Sequence, residues 1–126
     1  ITKTAIADSF VGVLFPTAEV QAEQNLLDRW FALCSTPLLS AQWKDVCAQG
    51  KLLISDVFLS AMQNSSDTQF VMINSKRDKL QISFEDAFAL STRHEGLMTP
   101  SQYYRQLNLI LQRYATLRNF KLYLVN

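Results

Sequence analysis

Glycine and proline are scarce, at three residues each in a chain of 126, and histidine occurs once, as His94. Three glycines do not readily build a phosphate cradle, and neither G-x-G-x-x-G nor G-x-x-x-x-G-K-[ST] is present. G-x-S-x-G and H-E-x-x-H are also missing, which removes two ready-made hydrolytic signatures. Two cysteines and one distant histidine fall short of the four ligands of a structural zinc site. No C-x-x-C pair is there for dithiol redox chemistry. The sequence therefore implies no cofactor and no metal. An enzyme is disfavoured, although a site assembled in space leaves no local motif.

Charge is sparse too. Charged residues make up 18% of the chain and the formal net charge is +1. A strong sequence-wide attraction for nucleic acid or anionic lipid is absent. The longest apolar runs, such as "FVGVLF", are strand-sized and far below the roughly 18 residues that a membrane span needs. No transmembrane segment is expected. What remains is a hydrophobic fraction of 48%, ample for a core. With so few charges to cover the surface, some apolar surface is expected to face a partner. The length suits one globular domain over residues 1–126. A first residue that is Ile1 and not Met points to processing or to a longer parent chain.

Along the chain, "SFVGVLF" (residues 9–15) ends at Pro16 and reads as a strand. Residues 17–34 carry Val20, Leu27, Trp30, Phe31 and Cys34 near helical spacing, with Glu19 and Glu23 early in the run. Thr36-Pro37 restarts a helix that presents Leu39, Trp43, Val46 and Cys47 on one face and stops at Gly50. Residues 51–63 give a third helix through Ile54, Val57, Phe58, Ala61 and Met62, with a soft start at "KLLI". "TQFVMIN" and "KLQISF" flank the polar "SKRD" and read as a hairpin. In the second run Leu80, Ile82 and Phe84 alternate with Gln81 and Ser83. Residues 85–95 predict a weaker helix closed by Gly96. Thr99-Pro100 opens the cleanest amphipathic helix, and "FKLYLV" (residues 120–125) predicts a last strand. The two near-continuous apolar strands belong in the sheet interior, side by side. The expected fold class is α+β: about five helices packed on a small, mainly antiparallel sheet with a central β-hairpin.

Cys34 and Cys47 close two successive predicted helices. In a tight hairpin Cys47 lies about 15 Å along the second helix from the turn, which suits a disulfide badly. Buried free thiols are the expectation, with a disulfide as the alternative. Reduced thiols favour a cytoplasmic setting over export.

Several residues are candidates for function. Adjacent Tyr103 and Tyr104 cannot both enter one core, so at least one belongs at a boundary. With Arg105 and Arg113 on the same helix they form a candidate interaction set. Lys76, Arg77 and Lys79 crowd the expected hairpin tip. Three helices followed by a basic hairpin is the outline of a winged helix, and those three cations are its candidate phosphate contacts. Against it, residues 51–63 are mostly apolar and carry Asp56, a poor surface to offer base edges. Glu85 and Asp86 read as first-turn carboxylates. His94 with Glu95 is the remaining enzymatic option. The leading expectation is a non-enzymatic protein–protein interaction module, an adaptor, chaperone or assembly subunit, that contacts another protein or a second copy. Nucleic-acid binding is the alternative, and a small enzyme using His94 ranks last.

Overall fold

A computed structural model describes residues 3–9, 11–13, 24–25, 28–29, 32–37, 39–91 and 97–126. Its centre is the strand β2, Thr68–Ser75. β1, Lys3–Asp8, lies on one side of it and β3, Phe120–Val125, on the other. Both neighbours run parallel to β2. Between β1 and β2 come the helices α1, Ala41–Ala48, and α2, Ile54–Asn64. Between β2 and β3 come α3, Lys79–Ser91, and α4, Pro100–Tyr114. Parallel strands need such crossovers, because a tight turn joins only antiparallel ones.

This arrangement corrects the expected fold class. The sheet is wholly parallel, there is no central hairpin, and the described residues form four helices of two turns or more, not about five. The decisive error concerns "KLQISF", which is the first half of α3. Asp78 caps that helix: its Oδ1 accepts the Gln81 amide at 3.0 Å. Alternation also misled about the faces. Leu80 and Phe84 are exposed, whereas Gln81 is buried. Without a hairpin there is no wing, so the winged-helix outline falls with it.

The first strand was also expected in the wrong place. It is Lys3–Asp8, while Gly12 at φ +80° breaks any extended run through residues 9–15. Val11 and Val13 are nevertheless buried in the core. β3 is an edge strand beside β2, and it does not touch β1. Of the expected helix over 17–34, Gln24, Asn25, Asp28 and Arg29 have helical backbone. Leu33–Ser35 form a 3-10 turn entered through Ala32 at φ +48°. Thr17, Glu19, Val20, Glu23, Leu27, Trp30 and Phe31 lie outside the described residues.

Other local signals operate as read. Thr99 Oγ1 accepts the Gln102 amide at 3.2 Å and Gln102 Oε1 accepts the Thr99 amide at 2.9 Å, a reciprocal cap ahead of Pro100. α4 then buries Tyr103, Leu107, Ile110, Leu111 and Tyr114. α1 stops at Gly50, whose φ of +70° lets Lys51 donate back to Val46 O at 3.2 Å. A cap with no counterpart among the expected signals opens α2, where Asp56 Oδ2 accepts the Leu53 amide at 3.0 Å.

Two apolar clusters result. The larger joins one face of the sheet (Met72, Phe120) to Leu59 and Met62 of α2 and the buried stripe of α4. The smaller gathers Leu33, Leu39, Cys47 and Leu52. Cys34 and Cys47 are bridged, with Cα atoms 5.7 Å apart, so the expectation of free thiols is corrected. Helix α1 begins only at Ala41, after extended backbone at Thr36 and Ser40, and that chain reversal brings Cys47 back to Cys34. Gln24 stitches the region together. Its side chain donates to Cys47 O at 2.6 Å and accepts from the Leu52 amide at 2.7 Å.

Candidate functional site

A strand sends alternate side chains to opposite faces, and parallel neighbours in register share a face. Ala5 pairs with Phe70, Ala7 with Met72, and Phe70 with Phe120. Ala7, Phe70, Met72, Phe120 and Leu124 pack into the larger cluster, so this face meets the helices. The opposite face carries Thr4, Ile6 and Asp8 of β1, Gln69, Val71, Ile73 and Ser75 of β2, and Lys121, Tyr123 and Val125 of β3. Among the described residues nothing covers it: Ile6 is 67% exposed, Tyr123 62% and Val125 52%. Val71 and Ile73 form its half-buried centre. Parallel sheets are ordinarily covered on both faces. This apolar centre, with Asp8 at one edge and Lys121 at the other, is the feature that sets the molecule apart from a closed domain.

A second feature lies where β2 ends. Lys76 and Arg77 follow Ser75 and line a cleft of about 450 Å³ with Pro100, Ser101 and Tyr104 from the start of α4. The carboxyl ends of parallel strands commonly border ligand crevices. Here the helix start offers little to an anion, because Pro100 has no N–H and Thr99 already occupies the Gln102 amide. The cations and the Tyr104 ring are the cleft's chemical content. Lys76 Nζ donates to Asn126 Oδ1 at 2.7 Å.

Behind the cleft is a buried polar network. Asn74 Nδ2 donates to the Tyr103 hydroxyl at 3.0 Å and to Ser75 O at 2.9 Å, while Gln81 Nε2 reaches Asn74 Oδ1 at 3.4 Å. Burial pushes the Tyr103 phenol above its ordinary value, with Asp78 and Glu85 adding to the rise and the Asn74 bond opposing it. These partners are mutually satisfied, which suits positioning α3 and α4 against β2.

The interaction candidates of α4 do not form one surface. Tyr103 is fully buried, Tyr104 is half-buried at the cleft, and Arg105 is exposed. Arg113 is committed to an ion pair with Asp56, itself buried at the start of α2. Lys76 and Arg77 occupy a β–α turn and Lys79 is the first residue of α3. Asp86 Oδ1 accepts the Met98 amide at 2.6 Å, a structural duty. His94 and Glu95 lie outside the described residues. Among the described residues no group of three or more metal-ligating side chains occurs, and no helix is long and apolar enough to cross a membrane.

The open sheet face escaped sequence reasoning because β1 was not recognised. The signal was there in alternation: Thr4, Ile6 and Asp8 on one side, the small Ala5 and Ala7 on the other. Comparison with protein-family models, with curated proteins and with solved structures returns no match.

Proposed function

We propose that this domain is a protein-interaction module, an adaptor or assembly subunit, and that it binds through the open face of its parallel sheet. The observation that carries the reading is the exposed row Ile6, Tyr123 and Val125 around Val71 and Ile73. A contiguous apolar patch on a sheet that ordinarily has two covers is a binding surface waiting for its second cover. The matching partner is a protein surface that is flat, apolar at its centre and polar at its rim. The test is stability. Ile6→Ser with Val125→Ser is expected to change unfolding free energy by no more than about 0.5 kcal/mol, because neither side chain is part of the domain's own core. A loss of several kcal/mol would mean that the chain covers this face itself, and the reading would be overturned.

The cleft supports a second reading. Lys76 and Arg77 beside the Tyr104 ring combine phosphate-binding charge with a stacking surface, as single-stranded nucleic acid requires. Lys79 stands two residues beyond Arg77. On this reading, affinity for an oligonucleotide falls steeply with salt, and neutralising the three cations flattens the slope. An unchanged slope removes it.

A further inference from the structure

We propose that the cover of the open sheet face is a second copy of this chain, packed face to face about a two-fold axis that runs along the strands. The proposal rests on reading that face as a contact surface.

Charge complementarity on a self-contacting surface favours this occupant. The face holds one acidic side chain, Asp8 on edge strand β1, and one basic side chain, Lys121 on edge strand β3. Both residues are exposed, and neither is salt-bridged among the described residues. An isologous contact presents identical patches, so the axis alone decides which residues meet. An axis across the strands lays β1 on β1 and β3 on β3. It brings Asp8 towards Asp8 and Lys121 towards Lys121, like charges over like. An axis along the strands lays β1 over the partner's β3. Each Asp8 then faces the strand that carries Lys121, twice over by symmetry. Asp8 is in register with Tyr123, one side-chain repeat from Lys121. The offset is about 7 Å along the strand, and packed sheets stand about 10 Å apart. A lysine stem and an aspartate reaching inward from opposite sheets span that gap. In the same arrangement Val71 and Ile73 of the two copies close the centre. Aligned packing of sheets within about 30° is the ordinary geometry for such a contact.

Three strands of six to eight residues give a footprint of only about 300–400 Å², half or less of the roughly 800 Å² per partner of a stable interface. A contact of that size is expected to be weak, so the test runs to high protein concentration.

Sedimentation equilibrium between about 5 µM and 1 mM tests this on the wild type, on Asp8→Lys, on Lys121→Asp, and on the double reversal, with circular dichroism as the folding control. Wild type is expected to associate reversibly. Each single reversal is expected to weaken it about tenfold, because two symmetry-related pairs turn repulsive, and the double reversal is expected to restore it. Association indifferent to the reversals overturns the proposal and points to another surface, such as the outer edge of β3. A wild type that stays monomeric at 1 mM overturns it as well. If the serine variants above keep full stability in that case, the contact-surface reading stands and the partner is a different protein.

Discussion

Breaking the Cys34–Cys47 bridge is expected to lower stability by about 3 kcal/mol. The cross-link joins residues 13 apart in sequence. Loop-closure entropy for a loop of about that length gives roughly 3 kcal/mol at 25 °C. No larger loss is expected, because the bridge is not the region's only tie. Gln24 also bonds Cys47 O and the Leu52 amide, and neither bond involves a sulfur. Cys47 stays packed with Leu33, Leu39 and Leu52. The assay is urea unfolding followed by tryptophan fluorescence, with and without reductant. Trp43 packs against both clusters and reports on each. For a urea m-value of about 2 kcal/mol/M, the midpoint should fall by about 1.5 M on reduction. Cys34→Ala with Cys47→Ala should match the reduced wild type and ignore reductant. Equal midpoints for oxidised and reduced protein would refute the reasoning. So would two thiols open to alkylation in denatured, unreduced protein. A bridge found in protein from its native source would also replace the cytoplasmic expectation with an oxidising compartment.

Three further outcomes follow from the core. Gly12→Ala should destabilise by about 2 kcal/mol or more in thermal unfolding, since φ is +80° and a Cβ there runs into Ile54 Cγ2 and stands 3.0 Å from the Ser55 amide nitrogen. Arg113→Met should cost about 1–3 kcal/mol by denaturant unfolding, less than for a wholly buried pair because the Arg113 side chain is 39% exposed. Adding Asp56→Asn should recover part of that loss. The Tyr114 hydroxyl lies 3.1 Å from both Val11 O and Ser55 O, and burial raises its pKa strongly, with Asp56 adding to the rise and Arg113 opposing it. The folded chain holds that proton more tightly than the unfolded chain. Stability is thus intact below about pH 10 and falls as pH climbs towards the folded value. Tyr114→Phe should lose about 1–2 kcal/mol at neutral pH and show a shallower decline between pH 9 and 11.

The parts of the fold legible in the sequence are those with local, self-sufficient signals. The α4 helix has its reciprocal cap, Pro100 and an unbroken apolar stripe, and β2 and β3 have dense β-branched and aromatic runs. The short alternating start of α3 looks like a strand, and only the Asp78 cap and the burial of Gln81 against Asn74 decide for helix. Burial of that polar side chain is a tertiary fact that no local pattern carries. β1 carries little local signal, because Lys3, Thr4 and two alanines have modest strand propensity and its pairing partner lies some sixty positions away. Direction followed the same weakness. Once 79–84 was read as a strand, a hairpin was the natural inference and a parallel sheet was not. The candidate face could not be seen before that register was known, since Asp8 and Lys121 share it only through their separate pairings with β2. The cleft is similar: Lys76 and Arg77 stand out in the sequence as cations, but Tyr104 joins them through the packing of α4.

Hydroxyl-radical footprinting of Tyr123 over a concentration series tests most directly whether the open face of the sheet is a contact surface. Tyr123 should react as an exposed tyrosine at a few micromolar and become protected as the contact forms. Protection at every concentration, in a protein shown to be monomeric, would mean that the chain covers its own sheet and would contradict the account.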